Sequence, residues 1–214
     1  ISYNWKNFAK SAKIMMIDID VNEMNKSTLK IFKKMHYNLE LFIPLLEKST
    51  RDFKCKLDHN YFLQWCRKIR KKYPIINSAL KVNNNSINPY IFFYKLYSVL
   101  GKGDKVVLGN GTACVVGLQS ADIKKGTRVF TNSGSASMGY DLPASIGTSI
   151  ANRKKRVICV TGDGSIMMNL QELATINYKN LPIKIFILNN NGYHSIRQTQ
   201  KNFFPDNLVG TSYK

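Results

Sequence analysis

Val157-Ile158-Cys159-Val160 runs into Thr161-Gly162-Asp163-Gly164-Ser165, an apolar strand ending in a tight glycine turn that carries one carboxylate. A second apolar strand, Ile183 to Leu188, ends in Asn189-Asn190-Asn191-Gly192, and Asn190 lies 27 positions after Asp163. Between the strands, Leu170, Leu173, Ala174 and Asn177 recur at helical spacing and predict a helix over Ile166 to Lys179. A strand–helix–strand unit in a parallel sheet brings both strand ends to the same edge. Asp163 and Asn190 are therefore expected to face one crevice, where open α/β sheets bind ligands. A carboxylate, an amide oxygen and a nearby backbone carbonyl are hard oxygen donors, suited to a Mg²⁺ ion that also holds phosphate oxygens. Gly-Asp-Gly alone would read as a surface turn; the asparagine run in register with it favours a site.

The alternation continues on either side of this unit. Asn88-Pro89 reads as N-cap and first residue of a helix through Leu100. Gly101 to Asp104 turns the chain into a strand over Lys105 to Leu108, and a helix is expected after Gly109-Asn110-Gly111-Thr112. A short strand at Arg128 to Thr131, the loop Asn132 to Ser137 and a helix over Leu142 to Ala151 complete this part. Nearer the start, residues 13–20 read as a buried strand with acidic residues at its end, Asn22 to Lys34 as a helix, and Leu39 to Glu47 as a second helix despite Pro44. Asp18 and Asp20 fit a strand-end turn with a helix N-cap. Residues 51–87 are charged and asparagine-rich, with one helical stretch around Tyr61 to Lys71, and read as a linker.

The paired motifs resemble the diphosphate-binding signature of the thiamine diphosphate enzymes, a GDG turn followed at similar distance by NN. Residues 162–175, from Gly162 through Glu172 to Thr175, are similar to the acetolactate synthase and pyruvate decarboxylase superfamily. Ile17-Asp18-Ile19-Asp20 with Glu23 and Lys26 resembles the segment that closes the superfamily's central domain, and Asn38 stands where an Asp is usual there. The resemblance implies an α/β fold, a parallel sheet with helices on both faces (the thiamine-diphosphate-binding fold), truncated, and preceded by the tail of a second α/β domain. Residues 1–50 would be the C-terminal part of the central domain, 51–87 the linker, and 88–214 the diphosphate-binding domain, incomplete. The pyrimidine-binding domain and the glutamate that activates the cofactor would lie outside this chain. By itself the chain is expected to be inactive.

Residue by residue, the resemblance implies that Asp163 is the charged Mg²⁺ ligand, Asn190 the neutral one and the Gly192 carbonyl the third. Gly162, Gly164 and Ser165 would approach the diphosphate at a helix N-terminus, where free N–H groups attract phosphate. Asn110, Gly111 and Thr112 would contact it from the neighbouring strand end. Ser133 to Ala144 is similar to the family element SGG-x-x-x-MG-x-x-LPAA. There Met138 would wedge under the thiazolium, the Ala136 carbonyl would accept from the aminopyrimidine, and Ser137 lies between them. Tyr193, His194 and Ser195 would face cofactor and substrate. His194 is an acid/base candidate, because histidine is the usual proton carrier near neutrality. Ile196 stands where pyruvate decarboxylases carry a catalytic glutamate, and Thr199 where acetolactate synthases carry a tryptophan. The wording is closer to acetolactate-synthase-like proteins, implying decarboxylation of a 2-oxo acid, pyruvate first, with carboligation. Non-oxidative decarboxylation within the same superfamily is the alternative. FAD, which some relatives hold in the central domain, is left open. The family also implies a homo-oligomer, dimer or tetramer, with the active site shared between subunits.

With 32 Lys and Arg against 13 Asp and Glu, the net charge of +19 opens a different reading, a catalytically inactive basic module that binds nucleic acid or acts as a scaffold. The basic residues are dispersed, and their dense runs, Arg67 to Lys72 and Arg153 to Arg156, lack the stacking aromatics of an RNA-binding sheet. A nucleic acid partner is not expected; such binding would weaken steeply with added salt. No apolar run is long enough to span a bilayer, and Ile1-Ser2-Tyr3-Asn4-Trp5-Lys6 does not resemble a signal peptide. Cys55, Cys66, Cys114 and Cys159 show neither CxxC nor zinc spacing, which fits a reducing, cytoplasmic setting.

Overall fold

The computed structural model describes residues 7–54, 58–77, 80, 86–206 and 208–211. Ile1 to Lys6, Cys55 and most of the asparagine-rich stretch before Ser86 lie outside the described residues. The chain divides into two compact units, Ile1–Cys66 and Arg67–Lys214.

In the first unit, β1 (Met15–Asp18) pairs in parallel with β2 (Lys33–His36), register Met15 with Lys33 through Asp18 with His36. Asp20 caps α1 (Val21–Met24) by accepting from the Asn22 N–H at 2.8 Å, and Asp18 accepts from the Asp20 N–H at 2.8 Å. Both acidic residues are turn and cap residues. The helix expected over Asn22 to Lys34 stops after Met24 and gives way to a strand. Asn25, Ser27 and Thr28 compete for backbone hydrogen bonds and are poor helix formers. The Phe32 N–H then reaches the Ile14 carbonyl at 2.8 Å, which starts β2. Asn38 caps α2 (Leu39–Thr50), accepting from the Glu40 N–H at 2.8 Å. Helix α3 (Asn60–Lys72) follows, with the Phe62 and Trp65 rings stacked.

The second unit is built on a four-stranded parallel sheet, β3 (Lys105–Leu108), β4 (Arg128–Thr131), β5 (Val157–Gly162) and β6 (Ile183–Leu188), in the order β4-β3-β5-β6. Helices α4 (Pro89–Val99) and α5 (Thr112–Gln119) cover one face. The helices α6 (Asp141–Ala151) and α8 (Glu172–Tyr178) cover the other. Strand β5 shows why two layers are needed. Ile158 and Val160 pack with Phe93, Leu96 and Tyr97 of α4, while Cys159 between them packs with Leu142 and Ile176 opposite. Alternate side chains of a strand point to opposite faces. Asn88 caps α4 from its side chain to the Tyr90 N–H at 2.9 Å, with Pro89 opening the helix.

The continuous helix expected over Ile166 to Lys179 is interrupted. A short helical turn, α7 (Asp163–Ile166), passes into a 3₁₀ turn at Met167–Asn169 before α8 begins. The Leu173 and Ala174 N–H groups bond back only three residues, to Leu170 and Gln171. Asn169 is held from outside, donating to the Gly139 carbonyl at 2.9 Å. That tertiary bond wins over helix continuity.

Cys159 is fully buried, and burial, helped by the nearby Asp141 charge, pushes its thiol up to about 12. Thiol reagents attack the thiolate. Under native conditions Cys159 is expected to stay unmodified by iodoacetamide while the half-buried Cys66 is labelled. Site-resolved mass spectrometry checks this, and equal labelling rates would contradict the core placement. Among the described residues no helix is long and apolar enough to cross a membrane.

Candidate cofactor and metal site

Strand β4 lies beyond β3 and β6 beyond β5, so the crossovers that leave β3 and β5 run in opposite directions. That is a topological switch point, where the loops after the two strands part and leave a crevice. Here those loops are Gly109 to Thr112 after β3 and the Gly162-Asp163-Gly164-Ser165 turn at the end of β5. A third loop, Asn189 to Tyr193, arrives from β6 on the same edge. Together with the loop before α6 they enclose a cavity of about 240 Å³.

The lining brings together Asn110, Gly111, Thr112, Ala136, Met138, Gly162, Asp163, Gly164, Ser165, Asn190, Gly192, Tyr193, His194 and Ser195. These are the residues singled out from the sequence, with one exception. Ser137 faces a small neighbouring hollow and accepts from the Asn132 amide at 3.2 Å. Ala113, Leu188 and Ile196 join the lining without having been read as contacts. Asn110 ties two of the loops, donating from its amide to the Ala136 carbonyl at 2.6 Å and accepting from the Gly111 N–H at 2.7 Å.

Asp163 is buried, and its carboxylate accepts from the Gly192 N–H at 2.7 Å and the Asn190 N–H at 3.4 Å. The β5 and β6 loops are thus joined through the one acidic side chain among the described residues lining the cavity. Asn190 Oδ1 is buried and has no hydrogen-bond partner. Buried amide oxygens are seldom left unpaired, because the desolvation goes uncompensated. Among the described residues no group of three or more His, Cys, Asp and Glu could hold a metal. A cation bound here would therefore need amide and carbonyl oxygens beside the single carboxylate, a donor set of Mg²⁺ type. Gly164 keeps the floor open: a Cβ there would sit 2.6 Å from the Tyr193 ring. An open floor, an orphaned amide oxygen and one carboxylate fit a diphosphate with its Mg²⁺.

Beneath the cavity is a feature that motif reading missed. Asp141 is fully buried, and its Oδ2 accepts from the Thr161 and Ser165 hydroxyls, each at 2.9 Å. Its Oδ1 accepts from the Leu142 N–H at 3.0 Å, and Ser165 in turn accepts from the Gly139 N–H at 3.0 Å. Gly109 lies so close that any Cβ would collide with the Asp141 carboxylate. One carboxylate thus ties the start of α6 to the β5 turn, with the β3 loop packed directly against it. Only the Asp in the sequence between Tyr140 and Leu142 signalled it, an acidic residue at the start of an otherwise apolar helix.

Residues 109–214 match the family described as thiamine pyrophosphate enzyme, C-terminal TPP binding domain. This part of the chain belongs to that family. The match begins at Gly109, the first residue of the β3 loop. Similarity extends further toward the N-terminus: acetolactate synthase 1, chloroplastic, of Zea mays is 31% identical over 208 residues, 95% of this chain and 32% of that protein. The chloroplastic acetolactate synthase of Arabidopsis thaliana is also 31% identical, over 95% of this chain and 30% of its own length. The acetolactate synthase large subunit of Cyanidium caldarium is 30% identical over 200 residues, 92% of this chain and 33% of that protein. The chain spans about a third of the length of the curated relatives it matches.

Proposed function

We propose that Asp163, Asn190 and the Gly192 carbonyl hold Mg²⁺ against the diphosphate of thiamine diphosphate, in an enzyme that decarboxylates a 2-oxo acid and ligates the product to an acceptor. The unpartnered, buried Asn190 Oδ1 beside the Asp163 turn carries the reading. The acetolactate synthase relatives support pyruvate as the 2-oxo acid. When bound, thiamine diphosphate supplies the electron sink for loss of CO₂.

The chain's own residues bind, orient and exclude. Gly162, Gly164 and Ser165 line the diphosphate end, with Asn110, Gly111 and Thr112 across the crevice. Met138 offers an apolar surface under the ring position, and Ala136 stands next to it with its carbonyl fixed by Asn110. Tyr193, His194 and Ser195 line one wall of the cavity, which would face substrate, and His194 would move a proton there. Ile196 keeps that wall free of a carboxylate, so the decarboxylated product meets no acidic side chain there and remains available to a carbonyl acceptor. Among the described residues lining the cavity none is a glutamate, and the activating carboxylate would come from a neighbouring subunit of a homo-oligomer.

Incubation of the full-length protein with pyruvate, Mg²⁺ and thiamine diphosphate is expected to yield acetolactate. Acetaldehyde alone would overturn carboligation in favour of simple decarboxylation. No consumption of pyruvate would assign a different 2-oxo acid. An absorbance band near ~450 nm in the same preparation would show bound FAD, as oxidised flavins absorb there.

A further inference from the structure

We infer that Arg197 is the positioning residue of the metal loop, its guanidinium holding the backbone so that Asn190 Oδ1 and the Gly192 carbonyl face Asp163. The inference rests on the site proposed above. Arg197 lies in the first turn of α9 (His194–Phe203), and its N–H bonds to the Tyr193 carbonyl at 2.9 Å. Its side chain turns back over the loop. Nη2 donates to the Asn190 carbonyl at 2.9 Å, and Nη1 donates to the Asn191 carbonyl at 3.1 Å and the Thr211 carbonyl at 3.0 Å. A planar fork holds its donors in fixed directions toward several carbonyls, whereas an ammonium is a point charge whose three donors turn freely on a flexible stem.

The loop needs such a brace. Asn191 and Gly192 have φ of 62° and 116°, consecutive residues in conformations that side chains disfavour. Asp163 holds the loop from inside through the Asn190 and Gly192 N–H groups. Arg197 holds it from outside through the carbonyls of Asn190 and Asn191. When the Asp163 oxygens turn to a cation, the inner hold weakens and the outer one keeps the loop in place. A brace of this kind acts on metal affinity through its neighbours, as outer-shell partners of metal ligands do. The competing explanation is a plain structural tie between α9 and residues 208–211. Other bonds already make that tie, from the Tyr193 N–H to the Thr211 carbonyl at 3.1 Å and from Gln200 to the Val209 carbonyl at 3.3 Å.

The test measures the Mg²⁺ dissociation constant by calorimetry on the full-length protein with thiamine diphosphate present, and the melting temperature without metal. The variants are Arg197→Gln, Arg197→Lys and, as the control for the tie alone, Gln200→Ala. Arg197→Gln is expected to weaken Mg²⁺ about tenfold or more, with Arg197→Lys between it and wild type. Its metal-free melting temperature should fall no further than that of Gln200→Ala. Wild-type affinity in Arg197→Gln, with or without a lowered melting temperature, would overturn the positioning role and leave the metal site standing. Should Arg197→Gln fail to fold, Arg197→Lys decides: unchanged Mg²⁺ affinity in it overturns the inference. Failure of the wild type itself to bind Mg²⁺ would remove the site, and the brace with it.

Discussion

Asp163→Ala is expected to abolish Mg²⁺-dependent binding of thiamine diphosphate. Asp163 is the one acidic residue among the described residues lining the cavity, so its loss removes both the carboxylate that a dication beside a diphosphate requires and the inner hold on the loop that presents Asn190. The second effect follows from the bonds to the Asn190 and Gly192 N–H groups, which vanish with the side chain. Loss of an outer partner alone costs ten- to a hundredfold in metal affinity, so loss of the ligand should exceed about a hundredfold. Asp163→Asn removes the charge but can keep only one of the two loop bonds, because its amide turns a donor toward the other N–H. Calorimetry showing equal affinity in wild type and Asp163→Ala would refute the assignment of the metal centre.

The largest expected effect on stability comes from Asp141→Ala. The side chain is fully buried and satisfies the Thr161 and Ser165 hydroxyls and the Leu142 N–H. Each donor left unpaired in the interior costs about 1–3 kcal/mol, so the sum is on the order of 4 kcal/mol. Water entering the space could satisfy some of them, which sets the lower bound. Asp141→Asn should cost less but not nothing, because an amide turns a donor toward groups that are themselves donors. Urea unfolding reads this as a lower midpoint with an unchanged slope. A change within about 1 kcal/mol for Asp141→Ala would mean that the network is not a unit.

The alternation of strand and helix from residue 88 onward was legible because apolar strands end in glycine or asparagine turns, and both signals are local. So were Asp163 and Asn190, since a parallel crossover leaves little freedom about where its strand ends lie. The helix expected over Asn22 to Lys34 misled because its last residues, Lys33 and Lys34, belong to a strand whose partner lies outside the window being read. Pairing with Met15 to Asp18 decides their conformation. The break before α8 depends likewise on a bond from Asn169 to Gly139, thirty positions away. Asp141 and Arg197 carry no motif of their own. Their weight comes from what surrounds them in space: two hydroxyls and a glycine in one case, three carbonyls in the other. Ser137 shows the converse, a residue inside a recognisable element whose side chain turns away from the cavity.

Strands β4 and β6 are the outermost of the sheet, and among the described residues no strand flanks them. On β6 the side chains of Phe186 and Ile187 are exposed along that open row of backbone donors and acceptors. Such an edge recruits other chains. The strand that delivers Asn190 to the cavity is therefore also one to which a further strand, of this or another chain, would pair. The net charge of +19 opposes that encounter, each molecule repelling its copies. At physiological ionic strength the repulsion reaches only about 8 Å. Pairing between copies along that edge is then disfavoured in dilute salt more than in concentrated.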